Sequence, residues 1–208
     1  MSPASGTRGG VRPEKAIARW LVSTTRHPDI AEQDWADGRP AILRTGILYD
    51  AVRMPMELVH AAVWSTVPAV VSGALAEVLD GPVVCHPGHW YYALVPPGTC
   101  EVWRSPVAVA RGRGGWLGIP RVDRTEPAPV DPYWAVPVER IDRLCLPAAV
   151  NELLRVGRER CEHDPGAAHS AAYVAVLEHT EECTACATET SVCAVGAQLR
   201  KAERQARG

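Results

Sequence analysis

At 208 residues, 47% of them hydrophobic, and with a formal net charge of -2, the chain can build one good-sized domain, or a domain with a small appendage. Its overall charge gives no general attraction to nucleic acid and leaves room only for a local basic groove. The longest apolar runs are cut by Pro, Gly or charge well short of about 18 residues, so no membrane span is expected.

The N-terminal stretch MSPASGTRGGVRPEK is polar and lacks the apolar centre of a secretion signal, and residues 1–12 read as a disordered tail. A cytoplasmic location follows as an expectation. There, seven cysteines are better explained as free or metal-bound thiols than as disulfides.

From Pro13, the spacing of Ala16, Ile17, Trp20 and Leu21 predicts a helix. Thr24–Pro40 reads as a polar loop. Two β-type runs follow, Ala41–Leu43 and Ile47–Val52, separated by Thr45-Gly46. Asp50 lies in the second run, a position that suits a metal or catalytic ligand and equally a strand-end cap. Residues 56–80 predict two helices or one broken helix, with Pro68 and Gly73 as interruptions.

Gly81–Gly98, GPVVCHPGHWYYALVPPG, predicts a hairpin: Val83 and Val84, a Pro87-Gly88 turn, then an aromatic strand starting at Trp90. His86 and His89 flank the turn. Pro106–Ala110 and Trp116–Ile119 are two more β-type runs. The RGRGG between them, Arg111–Gly115, is either a pair of phosphate-binding forks among glycines or an exposed hairpin turn. A Pro-rich loop leads to a short strand at Tyr133–Val136. Residues 147–159 form an amphipathic helix that is expected to end near Gly157. This order of elements predicts an α+β fold.

Residues 161–166 read as a boundary between a domain at 13–160 and a helical module at 161–208. The module carries His179, Cys183 and Cys186 at helical spacing, so one imidazole and two thiolates share a face. A turn at Thr188, Thr190 and Ser191 would let Cys193 fold back as a fourth ligand; Cys161 or His163 could serve instead. One histidine and three cysteines make a closed, structural zinc set, with free thiols or redox chemistry as the other readings. The last helix, about Val192–Gln205, ends in Arg200, Lys201, Arg204 and Arg207, which complement its dipole or bind phosphate.

Four pieces carry a family resemblance: GILYDAVRMP (46–55), the 81–98 hairpin, VARGRGGWLGIPR (109–121) and DPYWAVP (131–137). In this order they are similar to the N-terminal domain of bifunctional DNA primase/polymerases, in its divergent actinobacterial form, over residues 14–160. The resemblance implies a sheet flanked by helices that holds divalent magnesium or manganese on two or three carboxylates for nucleotidyl transfer. Asp50 matches the first carboxylate and His89 the hairpin histidine that meets nucleotide phosphates. The remaining carboxylates would fall at Val52 and near Val109, which are apolar, so a catalytically degenerate member is expected.

Arg44, Arg53, Arg111, Arg113 and Arg121 are the residues expected to bind nucleic acid or nucleotide phosphates. The spacing H-x3-C-x2-C is also similar to the zinc motif of anti-sigma factors. That resemblance implies a regulatory protein that binds a protein partner through its C-terminal module. An active primase/polymerase remains the third reading.

Overall fold

The computed structural model describes residues 13–163, 176, 179, 183, 186 and 193–207. The tail at 1–12, the expected turn at 188–191 and most of the stretch from Ala167 to Cys183 lie outside the described residues. The chain divides into two compact units, Met1–Arg155 and Val156–Gly208. The first is a mixed α+β unit with two antiparallel sheets flanked by helices.

The larger sheet has five strands: β2 (Asp50–Pro55), β3 (Val83–His86), β4 (Trp90–Val95), β5 (Val109–Arg111) and β7 (Tyr133–Val136), in the order β5-β2-β4-β3-β7. The smaller sheet pairs β1 (Ala41–Arg44) with β6 (Trp116–Ile119). The helices are α1 (Pro13–Val22), α2 (Pro28–Ala36), α3 (Met56–Val63), α4 (Pro68–Leu79), the short α5 (Thr99–Val102), α6 (Pro147–His163) and α7 (Ala194–Arg207). Among the described residues no single helix is long and apolar enough to cross a membrane.

The hairpin forms as its turn chemistry predicts. Val83–His86 pairs with Trp90–Val95, and the His89 N–H donates to the His86 carbonyl at 3.2 Å across the turn. β4 is the centre of the sheet, paired along its length with β2 from Asp50↔Val95 to Pro55↔Trp90. Strand side chains alternate between faces, so this register sorts the sheet into two surfaces. One carries Ala51, Arg53, Trp90, Tyr92, Leu94, Val84, His86 and Arg111; the other carries Asp50, Val52, Met54, Tyr91 and Cys85.

The second face meets α3 and α4, and His60 of α3 lies 3.2 Å from the Tyr91 hydroxyl. Part of the first face is covered by α1, α2 and the small sheet. There Leu21, Trp35, Leu43, Leu117 and Ile119 pack with Ala51, Val84, Leu94 and Trp134 in one buried cluster. The Trp35 indole donates to the Ile119 carbonyl at 2.9 Å, fixing α2 to β6.

Several expectations are corrected. Thr24–Pro40 contains α2: Pro28 opens it, and Ala31 and Trp35, four apart, form its buried face. The second β-type run begins later than expected, at Asp50, because the Gly46 N–H donates to the Tyr49 carbonyl at 2.8 Å and closes a turn. The helices at 56–79 break at Pro68, and Gly73 stays inside α4. Gly157 does not end α6; it is buried, four and three residues after the buried Leu153 and Leu154. Arg111–Gly115 is not a hairpin turn, because β5 joins the large sheet and β6 the small one. The segment is a strap between the sheets.

The strap is held against the β1–β2 connection. The Thr45 hydroxyl donates to the Gly112 carbonyl at 2.6 Å, and the Thr45 N–H to the Gly115 carbonyl at 3.0 Å. Gly46 has φ of +80°, and a Cβ there would overlap the Arg113 backbone. Gly46→Ala is therefore expected to lower unfolding free energy by about 3 kcal/mol, combining left-handed strain with steric overlap. Gly38, at φ +78° with open space around it, serves as the comparison, and Gly38→Ala should cost only about 1 kcal/mol. Urea denaturation of both variants measures the difference.

Candidate functional site

Two groups of residues in the described structure have the chemistry of sites. One lies on the sheet of the first unit. The other is the His/Cys cluster of the second.

The uncovered part of the first sheet face begins at the hairpin. Trp90 stacks under the Arg53 guanidinium, 4.4 Å from ring centroid to Cζ. Trp90 is the register partner of His86, whose ring packs on Tyr92 at 4.8 Å. The His86 Nε2–H donates to the Gly118 carbonyl of β6 at 3.0 Å. Burial lowers the affinity of His86 for a second proton, and the Gly118 bond opposes this only in part.

At Gly118 the outer face of the small sheet begins, carrying Ile42, Arg44 and Trp116. Trp116 is 52% exposed and has the Arg44 guanidinium 5.7 Å from its ring centroid. Two Arg–Trp stacks thus sit on adjoining surfaces, joined at the His86–Gly118 contact.

Arg111 adds a further cation to this face. It pairs in register with Ala51, and its Nε is buried with no hydrogen-bond partner. Burial raises the Tyr92 hydroxyl pKa, while Arg111 and Arg53 nearby pull it down. Arg53 is the register partner of Tyr92, and Arg111 lies on the next strand of the same face. No acidic residue belongs to this face; the one carboxylate on any of the seven strands is Asp50, which is on the other side.

Asp50 is fully buried. Its Oδ2 accepts the Cys100 N–H at 2.8 Å, and its Oδ1, which has no hydrogen-bond partner, lies 3.2 Å from where a Gly112 Cβ would be. The carboxylate thus ties β2 to α5, closed off from solvent. His89 is exposed in the hairpin turn. Five register steps along β4 separate the Asp50 level from the Trp90 level, roughly 17 Å at the usual strand rise. The structure does not bring Asp50 and His89 together, and Val52 shares the buried face of Asp50.

Of the five arginines read from sequence, Arg44, Arg53 and Arg111 lie on the adjoining surfaces just described, and Arg113 is exposed in the strap. Arg121 is not part of the group. It forms a bidentate pair with Asp123, at 2.6 and 2.7 Å, beyond β6. The sequence marks His86 only as one of two imidazoles flanking the turn and gives no site role to Trp90 or Trp116. Period-two alternation carried the missing signal, because it separates Arg53 from Asp50 once β2 is known to start at Asp50.

In the second unit, one ligand atom from each of His179, Cys183, Cys186 and Cys193 lies within 4.8 Å of the others. The His179 Nε2 is 3.1 Å from the Cys193 Sγ and 3.5 Å from the Cys186 Sγ. Bond lengths of about 2.0–2.3 Å around a tetrahedral ion set such donors about 3.5–3.8 Å apart, so the group could hold a metal ion such as zinc. Cys193 is the fourth member. Cys161 is outside the group, and the side chain of His163 is not among those described.

Backbone geometry assembles the cluster. The Cys183 N–H donates to the His179 carbonyl at 2.9 Å, a helical bond, and the Cys186 N–H to the Cys183 carbonyl at 2.9 Å, a tighter turn. Cys193 sits at the N-cap of α7. Its carbonyl accepts the Ala197 N–H at 2.9 Å, and its Sγ accepts the Gly196 N–H at 3.2 Å. That N–H and the His179 ring hold the Cys193 thiol down at about 6, so it is mostly thiolate at neutral pH.

Gly196 is needed for the approach: an added Cβ would lie 2.7 Å from the Cys186 Sγ and 3.4 Å from the His179 ring. Gly196→Ala should weaken metal affinity on the order of 10- to 100-fold, the size usual for residues supporting a ligand shell. Competition against a chromophoric chelator reads this directly.

Asp50 gives a separate expectation. Asp50→Ala leaves the Cys100 N–H without its partner and should cost about 2 kcal/mol of stability by urea denaturation, with Asp50→Asn costing less.

No protein-family model, curated protein or solved structure matches the chain, so these residues are read from their own geometry and chemistry.

Proposed function

We propose that the first unit binds nucleic acid or nucleotide through phosphates and does not transfer nucleotides, and that zinc holds the second unit together. One observation supports the binding reading above the rest: Arg53, the register partner of Tyr92, and Arg111 on the neighbouring strand share a sheet face that carries no strand carboxylate, and among the described residues the buried Arg111 Nε has no partner. Guanidinium forks without internal counter-ions favour an anion from outside, and phosphate matches them in shape and charge.

The resemblance to primase/polymerases fits a degenerate member. Two-metal nucleotidyl transfer needs carboxylates converging on one solvent-open point. Asp50 is closed in, and among the described residues it belongs to no group of three or more potential metal ligands. The face on which primer and nucleotide would meet carries arginines where such chemistry needs acids.

Zinc suits the second unit because three thiolates and one imidazole are soft, borderline donors that favour it over magnesium or calcium. Four protein ligands leave no open position, so the ion is structural. Its binding free energy is then part of the folding free energy of the unit.

Binding of a labelled oligonucleotide, followed by anisotropy, tests the first reading. Contacts from Arg44, Arg53 and Arg111 to a single strand predict a slope of log affinity against log salt of about -2, or roughly an 18-fold loss between about 50 and 200 mM salt. Arg53→Ala and Arg111→Ala should each reduce that slope by about 0.7. Primer extension with manganese should be undetectable. Affinity insensitive to salt, or extension that Asp50→Ala abolishes, would overturn the reading.

A further inference from the structure

The two Arg–Trp stacks have a consequence that phosphate binding alone does not require. We propose that the preferred ligand is a single-stranded nucleic acid whose bases stack on the Trp116–Arg44 and Trp90–Arg53 pairs while Arg111 takes backbone phosphate. This rests on the binding reading above and narrows it from any phosphate-bearing ligand to one with unpaired bases.

The surface chemistry makes the case. A duplex turns its base faces inward and offers phosphates, sugars and groove edges to a protein. An arginine patch is enough to hold it, and an exposed indole face has nothing flat to meet. Unpaired bases offer planar faces, and proteins hold them by stacking on aromatic rings or on guanidinium planes beside a cationic track. Both kinds of plane are present here. Trp116 leaves 52% of its surface open on the outer face of the two-stranded sheet, with Arg44 beside it. Trp90 is half-buried, and the Arg53 plane lies over it at 4.4 Å.

The two pairs are linked through residues in contact. Trp90 faces His86 across the hairpin, His86 bonds Gly118, and Trp116 is two residues from Gly118 on the same side of β6. A strand running along this line meets cation and ring alternately. Charge supports the same occupant. The whole chain carries -2, yet the strands that build these surfaces contribute Arg44, Arg53 and Arg111 and no exposed acid. A positive strip on a weakly acidic protein attracts polyanions locally without binding every anionic surface. The open face of Trp116 has no structural use among the described residues: the cluster that joins the two sheets is built from Leu117 and Ile119 on the other side of β6.

The experiment compares four probes on the full chain. They are labelled oligothymidine and oligouridine of about 12 nucleotides, within the span such sites cover, a duplex of the same length, and ATP as competitor. Oligothymidine or oligouridine should bind at least about tenfold more tightly than the duplex, and the tighter of the two identifies DNA or RNA as the source. Trp116→Ala should weaken single-strand binding by about 5- to 100-fold, the range for losing one base–aromatic stack, and leave duplex binding and the thermal midpoint unchanged. Trp116→Tyr should restore most of the affinity, and Trp116→Leu should not.

Equal binding of duplex and single strand, indifferent to Trp116→Ala, would overturn the stacking proposal and leave the phosphate reading in place. Binding of ATP alone would do the same and leave a nucleotide site. Failure of all four probes would end both.

Discussion

The two-residue period of β2 is the constraint on which the rest of the first unit depends. β2 is held on both sides, by β4 along its full length and by β5 at Ala51–Arg53, so its register cannot slip. A slip by one residue would exchange every side chain between faces. Arg53 would then be buried beneath the helices and Asp50 would emerge beside Arg111. The native register instead sends the cation to the open face and the carboxylate inward. The electrostatic character of the whole surface follows from where one strand begins.

That arrangement gives Asp50 a different use. A polar side chain inside a protein needs hydrogen-bond partners to offset its lost water. Here the Cys100 N–H supplies one, and the strap backbone at Gly112 lies close above. The strap can come this near because Gly112 has no side chain; a Cβ would overlap the Cys100 sulfur. Thr45 fixes the same segment from the other side. Arg111 and Arg113 therefore leave a segment pinned at several points, which limits how far their guanidiniums can wander. Side chains positioned in advance lose less freedom on binding.

Much of this was legible in the chain, and what was not has physical causes. The hairpin at 81–98 and the strand at Tyr133–Val136 are local: turn residues bound aromatic and β-branched runs, and the pattern suffices. The helix at Pro28–Ala36 was hidden by its polar composition, since only Ala31 and Trp35 are buried and the others face water. The runs on either side of RGRGG look like a hairpin in sequence because proximity is the only local information. Their separation into two sheets is decided by distant partners, Ala51–Arg53 and Ala41–Arg44. The faces of the arginines were illegible for the same reason. The His/Cys cluster was legible because helical spacing places His179, Cys183 and Cys186 together. The placement of Cys193 beside them is not dictated by spacing, since it depends on the seven-residue step from Cys186.

The Cys193 sulfur does two things at once: it caps α7 and it faces the other three donors. Whatever engages that sulfur therefore acts on the first turn of the helix as well. With the metal ion proposed above in place, order in the last part of the chain would depend on the chemical potential of the free metal as well as on temperature and burial. The first unit is built on an apolar core, and its described residues hold no group of three or more potential metal ligands. On that reading, one polypeptide would join two folding equilibria with different controlling variables, and the fraction of α7 formed would follow the metal supply around the protein.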